Sequence, residues 1–557
     1  MGILRRCSIW VLLTATPGLW AQQAAETNTA GTKAVDPAAT LAYIHAGWDE
    51  LSRSMTDCHS LVDVKVTTKP VLYLPAEVPA PAKVRELTAS CGVKVAALPK
   101  RVGKLGDLMP EELVRAGMQP GLLYLPNKYI VPGGRFNEMY GWDSYFIILG
   151  LVADGRQELA RGMVENFWFE IEHYGAVLNA NRTYFLTRSQ PPFLTSMMRA
   201  VYEAQGSFSD AAAKRAWLER GYAEAQKDYE TWLRPEHKAG TTGLARYFDY
   251  GQGPVPEMAD DSTYYSDVIR WLVAHPQQNA GFLVKSQEHP DANEIVRLKK
   301  TSCDVTVSEV CMRAHADGYR LTHEFYEGDR AMRESGFDTS FRFGAFSGAT
   351  HHYAPVCLNS LLFRYERDMA HFAHVLGKVA DAHVWEERAK KRNAAMQRYL
   401  WSAKEGTFED FDFTRGKASS YAYVTSFYAL WAGVATREQA MEIEGKLKVF
   451  ERAGGLAMSA TNSGMQWDEP FGWAPTNWIA VAGLATYQYR DDAKRIAGEF
   501  RGTVDRGFAD DGTIREKYNV EAGNAQVHVT AGYKSNVIGF GWTNGVYLKM
   551  GELAGVK

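Results

Sequence analysis

The sequence has 557 residues, of which 46% are hydrophobic and 12% aromatic, and its formal net charge is −3. That length leaves room for a large core, and the near-neutral balance, with no basic block or acidic tail, counts against nucleic acid as a partner. No apolar run beyond the N-terminus reaches the ~18 residues of a membrane span.

In chain order, Arg5-Arg6, the apolar stretch that begins at Ile9 and the tripeptide Leu19-Trp20-Ala21 read as a signal peptide over 1–21, followed by an Ala/Thr-rich flexible leader over 22–40. This predicts a soluble protein, periplasmic or secreted, with no membrane contact after cleavage. Of the six cysteines, Cys7 goes with the signal. Cys303 and Cys311 bracket a short polar segment that a disulfide would close, Cys58 and Cys91 form a second candidate pair, and Cys357 reads as a free buried thiol.

A helix is expected over 41–55, where Ile44, Trp48 and Leu51 recur at helical spacing. Residues 61–125 differ in texture, with short strands at 71–74 and 93–95, a helical piece at 82–90 and frequent prolines. They read as a small α/β insertion. From Tyr145 onward helix follows helix: 145–152, apolar all round, then 157–173; 193–203 with 210–233; 358–376 with 380–399; 424–432 with 437–447; 478–485 with 491–501; and 540–554. One buried helix and one amphipathic helix per unit give an all-α protein of paired helices, forming one domain over 41–557.

The chemistry-bearing stretches precede the more buried helices. Residues 131–145 read VPGGRFNEMYGWDSY, where a Pro-Gly-Gly turn leads into Arg135, Glu138, Trp142 and Asp143. A flat aromatic face beside fixed charged groups suits a sugar ring and its rim of hydroxyls. Residues 466–478, QWDEPFGWAPTNW, have the same character, and NANRTYFLTRSQPP (179–192), LARYFDYGQGPVPE (244–257), RESGFDTS (333–340) and IREKYNV (514–520) follow it. From the residues alone, Asp338 beside Ser-Gly would be a helix cap and Glu516-Lys517 an exposed ion pair.

The stretches at 131–145 and 466–478 resemble, nearly letter for letter, the two signature motifs of trehalases, the glycoside hydrolases that split α,α-trehalose into two glucoses. The resemblance covers roughly residues 41–551 and is closest to the neutral, fungal-type branch. It implies an (α/α)6 barrel and no metal or cofactor. It places a general acid at Asp338 and a general base at Glu516, which act with inversion. It assigns sugar contacts to Arg135, Trp142, Asp143, Asn179, Arg188, Ser189, Gln190, Glu257, Arg333 and Gly336. Two carboxyl groups flanking one bond are what glycoside hydrolysis requires, and Asp143 stands as a further charge to support the oxocarbenium-like sugar. The sequon Asn181-Arg182-Thr183 reads as an accident of its motif. His351-His352 and the Asp410/Asp412 pair lack ligand-like spacing with further partners. The partner is a small sugar, trehalose, and the chain is expected to be a monomer.

The sequence departs from the family in the run VHVTAG at 527–532, followed by Tyr533 to Asn536, which lacks the acidic residue common in that loop. Two alternatives therefore stand beside trehalose hydrolysis: an inverting hydrolase of another α-glucoside, and a non-catalytic sugar-binding protein. Retention of both Asp338 and Glu516 argues against the second.

Overall fold

The computed structural model describes residues 35–62, 69–259, 263–530 and 535–555, the side chains of 87 and 88 excepted. The expected signal peptide and residues 22–34 of the expected leader lie outside the described residues. No helix among those described is long and apolar enough to cross a membrane.

Twelve of the described helices form two concentric rings. The first, α1 (Pro37–Glu50), starts earlier than its apolar spacing suggests, because Asp36 caps the amide of Ala38 at 3.0 Å and Pro37 is pre-set for a helical first turn. Then come α2 (Asp143–Ala153), α3 (Gln157–Tyr174), α4 (Leu194–Glu203), α5 (Ala211–Leu233), α6 (Val356–Val375) and α7 (Val379–Tyr399). The series ends with α8 (Tyr428–Ala432), α9 (Arg437–Glu444), α10 (Ala474–Thr486), α11 (Arg490–Asp511) and α12 (Gly541–Ala554). Helices α2, α4, α6, α8, α10 and α12 each pack on the next, and α12 packs on α2, which closes the inner ring. The others wrap outside. This is an (α/α)6 barrel.

The two rings read differently because they bury different amounts of surface. All five residues of α8 are buried. On α7 only Ala382, Trp385, Ala389, Arg392 and Met396 are buried, a single stripe at alternating steps of three and four. The α2–α12 crossing requires glycine on both sides: a Cβ on Gly150 would collide with the Cα of Gly545, and one on Gly545 with the carbonyl of Phe146.

The insertion contains a parallel three-stranded sheet with Val71–Leu74 (β1) in the centre, Lys94–Ala97 (β2) on one side and Leu122–Leu123 (β3) on the other; Leu72 faces both Val95 and Leu122. Cys58 and Cys91 are disulfide-bonded beside it, and Cys357 is free and buried. The connection from α5 to α6, where the sequence reading placed no helix or strand, holds a second compact unit. Its main helices are Tyr264–Ala274, Ala292–Thr301 and His323–Glu334, joined by a Leu283–Lys285/Tyr319–Leu321 ladder and the Cys303–Cys311 disulfide. It has its own core around Tyr265, Ile269, Phe282, Phe325 and Phe346. Charged residues on the buried face of His323–Glu334 hid its periodicity: Asp329, Arg330, Arg333 and Glu334 are all buried.

Candidate active site

The loops that enter the inner helices collect at one mouth of the barrel, and hydrogen bonds, most of them between backbone groups, stitch them into a belt. Tyr140 bridges to Ala180, and the Ser189 amide donates to Glu334 at 3.3 Å. The Trp467 amide donates to the Thr339 carbonyl at 3.1 Å, and Phe471-Gly472 pair with Asn519-Tyr518. Arg515 bridges to Ile538, and the Gly541 amide returns to Pro132 at 2.6 Å. Loop backbone that would otherwise lack partners is satisfied by the neighbouring loop.

The belt encloses a cavity of about 490 Å³, a volume suited to a small ligand such as a disaccharide. Its lining includes Arg135, Trp142, Asp143, Asn179, Arg188, Gln190, Glu257, Arg333, Gly336, Asp338 and Glu516. Ser189 is not part of it, contrary to the sequence expectation: the residue is buried, its hydroxyl donates to the Val177 carbonyl at 2.6 Å and its amide to Glu334. Glu138 also stays out, as the buried partner of Arg182 at 2.6 Å. Asn181 is buried and bonded to the Met139 amide and the Leu123 carbonyl, so the sequon is closed to modification.

One wall is aromatic. Trp142 meets Phe337 and Trp542 edge-on at 5.5 and 5.7 Å between centroids, and Trp467 stacks on Trp473 at 3.8 Å. Gly336, at φ +75°, is required here, since a Cβ would lie 2.8 Å from the Trp142 ring. The amide of Trp142 donates to Gln190 Oε1 at 2.8 Å, which orients that side chain.

The opposite chemistry is a network of buried charges. Arg188 pairs with Glu257 and, at 3.4 Å, with Asp249, which also takes Arg330 at 2.9 Å. Burial works against the charge on Arg188, but Glu257 and Asp249 outweigh it and raise its pKa. Arg333 is held by Asp329 at 3.2 Å and reaches Asp338 at 3.8 Å. Glu334 receives the Phe248 amide at 2.7 Å and the Ser189 amide, tying two loops to the end of its helix; burial pushes its pKa up to about 8.

The two acidic candidates differ in surroundings. Burial raises the Asp338 pKa to about 7, against the opposing pull of Arg333 and Arg188. The side chain is still 23% accessible from the cavity, so the shift comes from enclosure by protein rather than from loss of all solvent. Glu516 instead contacts a cation, with Lys517 Nζ 3.1 Å from its Oε2. The pair is not an exposed one: Lys517 is fully buried, 3.0 Å from Gln466 Oε1 and 2.9 Å from the Ser535 carbonyl. Gln466 in turn donates to the backbone carbonyl of Asp338. A continuous hydrogen-bonded path thus runs from Glu516 through Lys517 and Gln466 to Asp338. Sequence reading took Lys517 for half of an exposed ion pair and gave Gln466 no role of its own, although both stand inside quoted motifs. Asp143, at the first turn of α2, is shifted well above the usual carboxylate range by burial and then by the charges of Glu516 and Asp338.

Other conspicuous acids have structural duties. Asp468 accepts from the Phe341 amide at 2.8 Å, Asp410 pairs with Arg342 at 2.7 Å, and Asp412 caps a turn at Thr414 and Arg415.

The trehalase family model matches residues 68–555. The chain belongs to the trehalase family. It is 34% identical to a probable trehalase of Eremothecium gossypii, over 90% of this chain and 71% of that one. It is 33% identical to the cytosolic neutral trehalase of Saccharomyces cerevisiae, over 90% and 69% respectively. The solved structure of neutral trehalase Nth1 from Saccharomyces cerevisiae superposes with a TM-score of 0.75 at 32% identity, covering 93% of this chain and 94% of that one. These trehalase relatives correct the expected location. Several are named cytosolic neutral trehalases, which overturns the reading of a periplasmic or secreted protein. The N-terminal hydrophobic stretch on which that reading rested lies outside both the matched region and the described residues.

Proposed function

We propose that this trehalase-family glycosidase hydrolyses α,α-trehalose with inversion, using Asp338 as the general acid and Glu516 as the general base. One observation supports the reading above the others: a carboxyl that keeps its proton up to about pH 7 and a carboxylate paired with a buried lysine line the same cavity. Asp338 gives its proton to the bridging oxygen as the glycosidic bond breaks. Glu516 takes a proton from the water that attacks the anomeric carbon from the other face. Trp142 offers one sugar a flat apolar wall, while Arg188, Gln190 and Arg333 supply hydroxyl partners. Asp143, which favours its neutral form, suits a hydrogen bond to a hydroxyl better than the charge support expected from sequence.

Asp338→Asn removes the transferable proton and Glu516→Gln the proton acceptor, while both keep the side-chain shape. Each variant is expected to lose at least ~10²–10⁴-fold in rate while retaining trehalose binding by calorimetry. Wild-type turnover followed by NMR before mutarotation is expected to give one β-glucose per trehalose. Two α-glucoses, or full activity in either variant, would remove Glu516 or the affected residue from its role. Faster glucose release from kojibiose or maltose than from trehalose would favour the other α-glucoside reading. Binding without turnover of any of the three would favour the sugar-binding one.

A further inference from the structure

Glu324 and Glu327 stand one turn apart on the helix His323–Glu334, so their side chains share a face. That helix packs on the short turn Thr350–His352. Glu324 Oε1 lies 3.1 Å from His352 Nε2 and 3.4 Å from His351 Nε2, and Glu327 Oε2 lies 3.8 Å from His351 Nε2. One donor atom from each of Glu324, His351 and His352 falls within 4.8 Å of the others. His351 is 3% exposed; its Nδ1 has no hydrogen-bond partner among the described residues, and its Nε2 meets the two carboxylates at ion-pair distance without the geometry of a hydrogen bond. A buried imidazole left this way costs stability unless something else satisfies it.

The neighbouring cation does not fill the gap. Arg246 donates to the main-chain carbonyls of Glu236 and His351, each at 2.8 Å, and lies over the Phe248 and Phe413 rings. Ligands about 2.0–2.1 Å from one tetrahedral ion sit roughly 3.3 Å apart, and the separations from Glu324 to the two histidines, 3.1 and 3.4 Å, fall on either side of that value.

We propose that Glu324, His351 and His352, with Glu327 at the edge, form a binding site for a divalent transition-metal ion of the zinc class. Two imidazoles and a carboxylate suit zinc, nickel or copper. Calcium and magnesium prefer all-oxygen shells. Glu324 and His352 are partly open to solvent, with side chains 40% and 29% exposed, which gives an ion a way in. The site lies outside the lining of the sugar cavity, so its role is mechanical. It pins the start of the helix that carries Arg333 in its last turn and leads to Asp338 onto the turn that leads into α6. Sequence spacing spoke against a metal at His351-His352 because the carboxylates come from a separate helix.

Tag-free protein, stripped with EDTA and dialysed, is titrated with zinc chloride by calorimetry beside Glu324→Gln and His352→Gln, with magnesium chloride as a control. The wild type is expected to take up one equivalent of zinc, to ignore magnesium and to melt at a higher temperature with zinc present. Changes in a metal's outer-shell partners already cost ~10–100-fold in affinity, so loss of a ligand is expected to weaken zinc binding at least tenfold and abolish the thermal shift. Both substitutions fall on partly exposed side chains, and circular dichroism of the stripped variants checks their fold. Absence of a stoichiometric zinc isotherm in the wild type, or unchanged affinity in both folded variants, overturns the proposal.

Discussion

At the residue scale the site turns on the different surroundings of two carboxyls. Asp338 sits where enclosure outweighs the pull of Arg333 and Arg188, so its proton stays on up to about pH 7. The proton that makes it an acid also makes it a burden at higher pH. Between the unfolded value near 4 and about 7, the folded chain binds a proton at Asp338 that the unfolded chain does not. Stability from this group therefore falls as pH rises through that window, and the cost is complete above it. Two outcomes are expected. Trehalose kcat/KM declines above about pH 7 along a one-proton limb, measured by glucose release across pH. Asp338→Asn, which cannot ionise, melts higher than the wild type at pH 8, by an amount that shrinks towards pH 4. Each pKa unit corresponds to about 1.4 kcal/mol, so the gap at pH 8 should amount to a few kcal/mol at most. A variant melting lower at pH 8 than at pH 4, relative to wild type, would contradict the assignment.

At the element scale the decisive feature is a two-residue ladder. Pairing of Phe471-Gly472 with Asn519-Tyr518 sets the 466–473 loop beside the segment, two residues before that strand, that carries Glu516. That register lets Gln466 meet Lys517, and Lys517 meet Glu516. A buried ammonium is tolerated because Gln466, Glu516 and the Ser535 carbonyl accept from it and the Trp473 ring offers its face, with the centroid at 5.3 Å. Lys517→Met keeps the length and removes the charge. It is expected to lower kcat at least about tenfold with little change in KM. Steady-state kinetics from pH 4 to 8 test this. A change in KM alone, with kcat unmoved, would make Lys517 a packing residue only.

At the scale of the whole molecule, function depends on ring closure. Six inner helices present their N-terminal loops to one mouth only if the last meets the first, and Gly150 and Gly545 set how closely α2 and α12 approach. Gly545→Ala pushes a methyl into the carbonyl of Phe146 on the helix that starts at Trp142 and Asp143. Overpacking of this kind costs ~1–3 kcal/mol. A urea midpoint lowered accordingly is the expected result, whereas an unchanged midpoint would mean the crossing has slack.

The sequence by itself determined the paired helices and, through its resemblance to trehalases, the ring architecture and half of the cavity lining. Apolar periodicity marks inner and outer helices because burial is set by which face meets another helix. The motif letters of 131–145 and 466–478 carry the family because they build one aromatic and charged wall. It could not determine elements whose buried face is charged: Arg330 and Glu334 add nothing to an apolar stripe, and the groups that bury them, Asp249, Gly253 and the Ser189 amide, come from elsewhere in the chain. Only the tertiary structure turned Ser189 away from the cavity, buried Lys517 between two motifs and set Glu324 beside His351-His352. Each of these depends on contacts between segments distant in the chain, and no local pattern of residues records which distant partner a side chain will find.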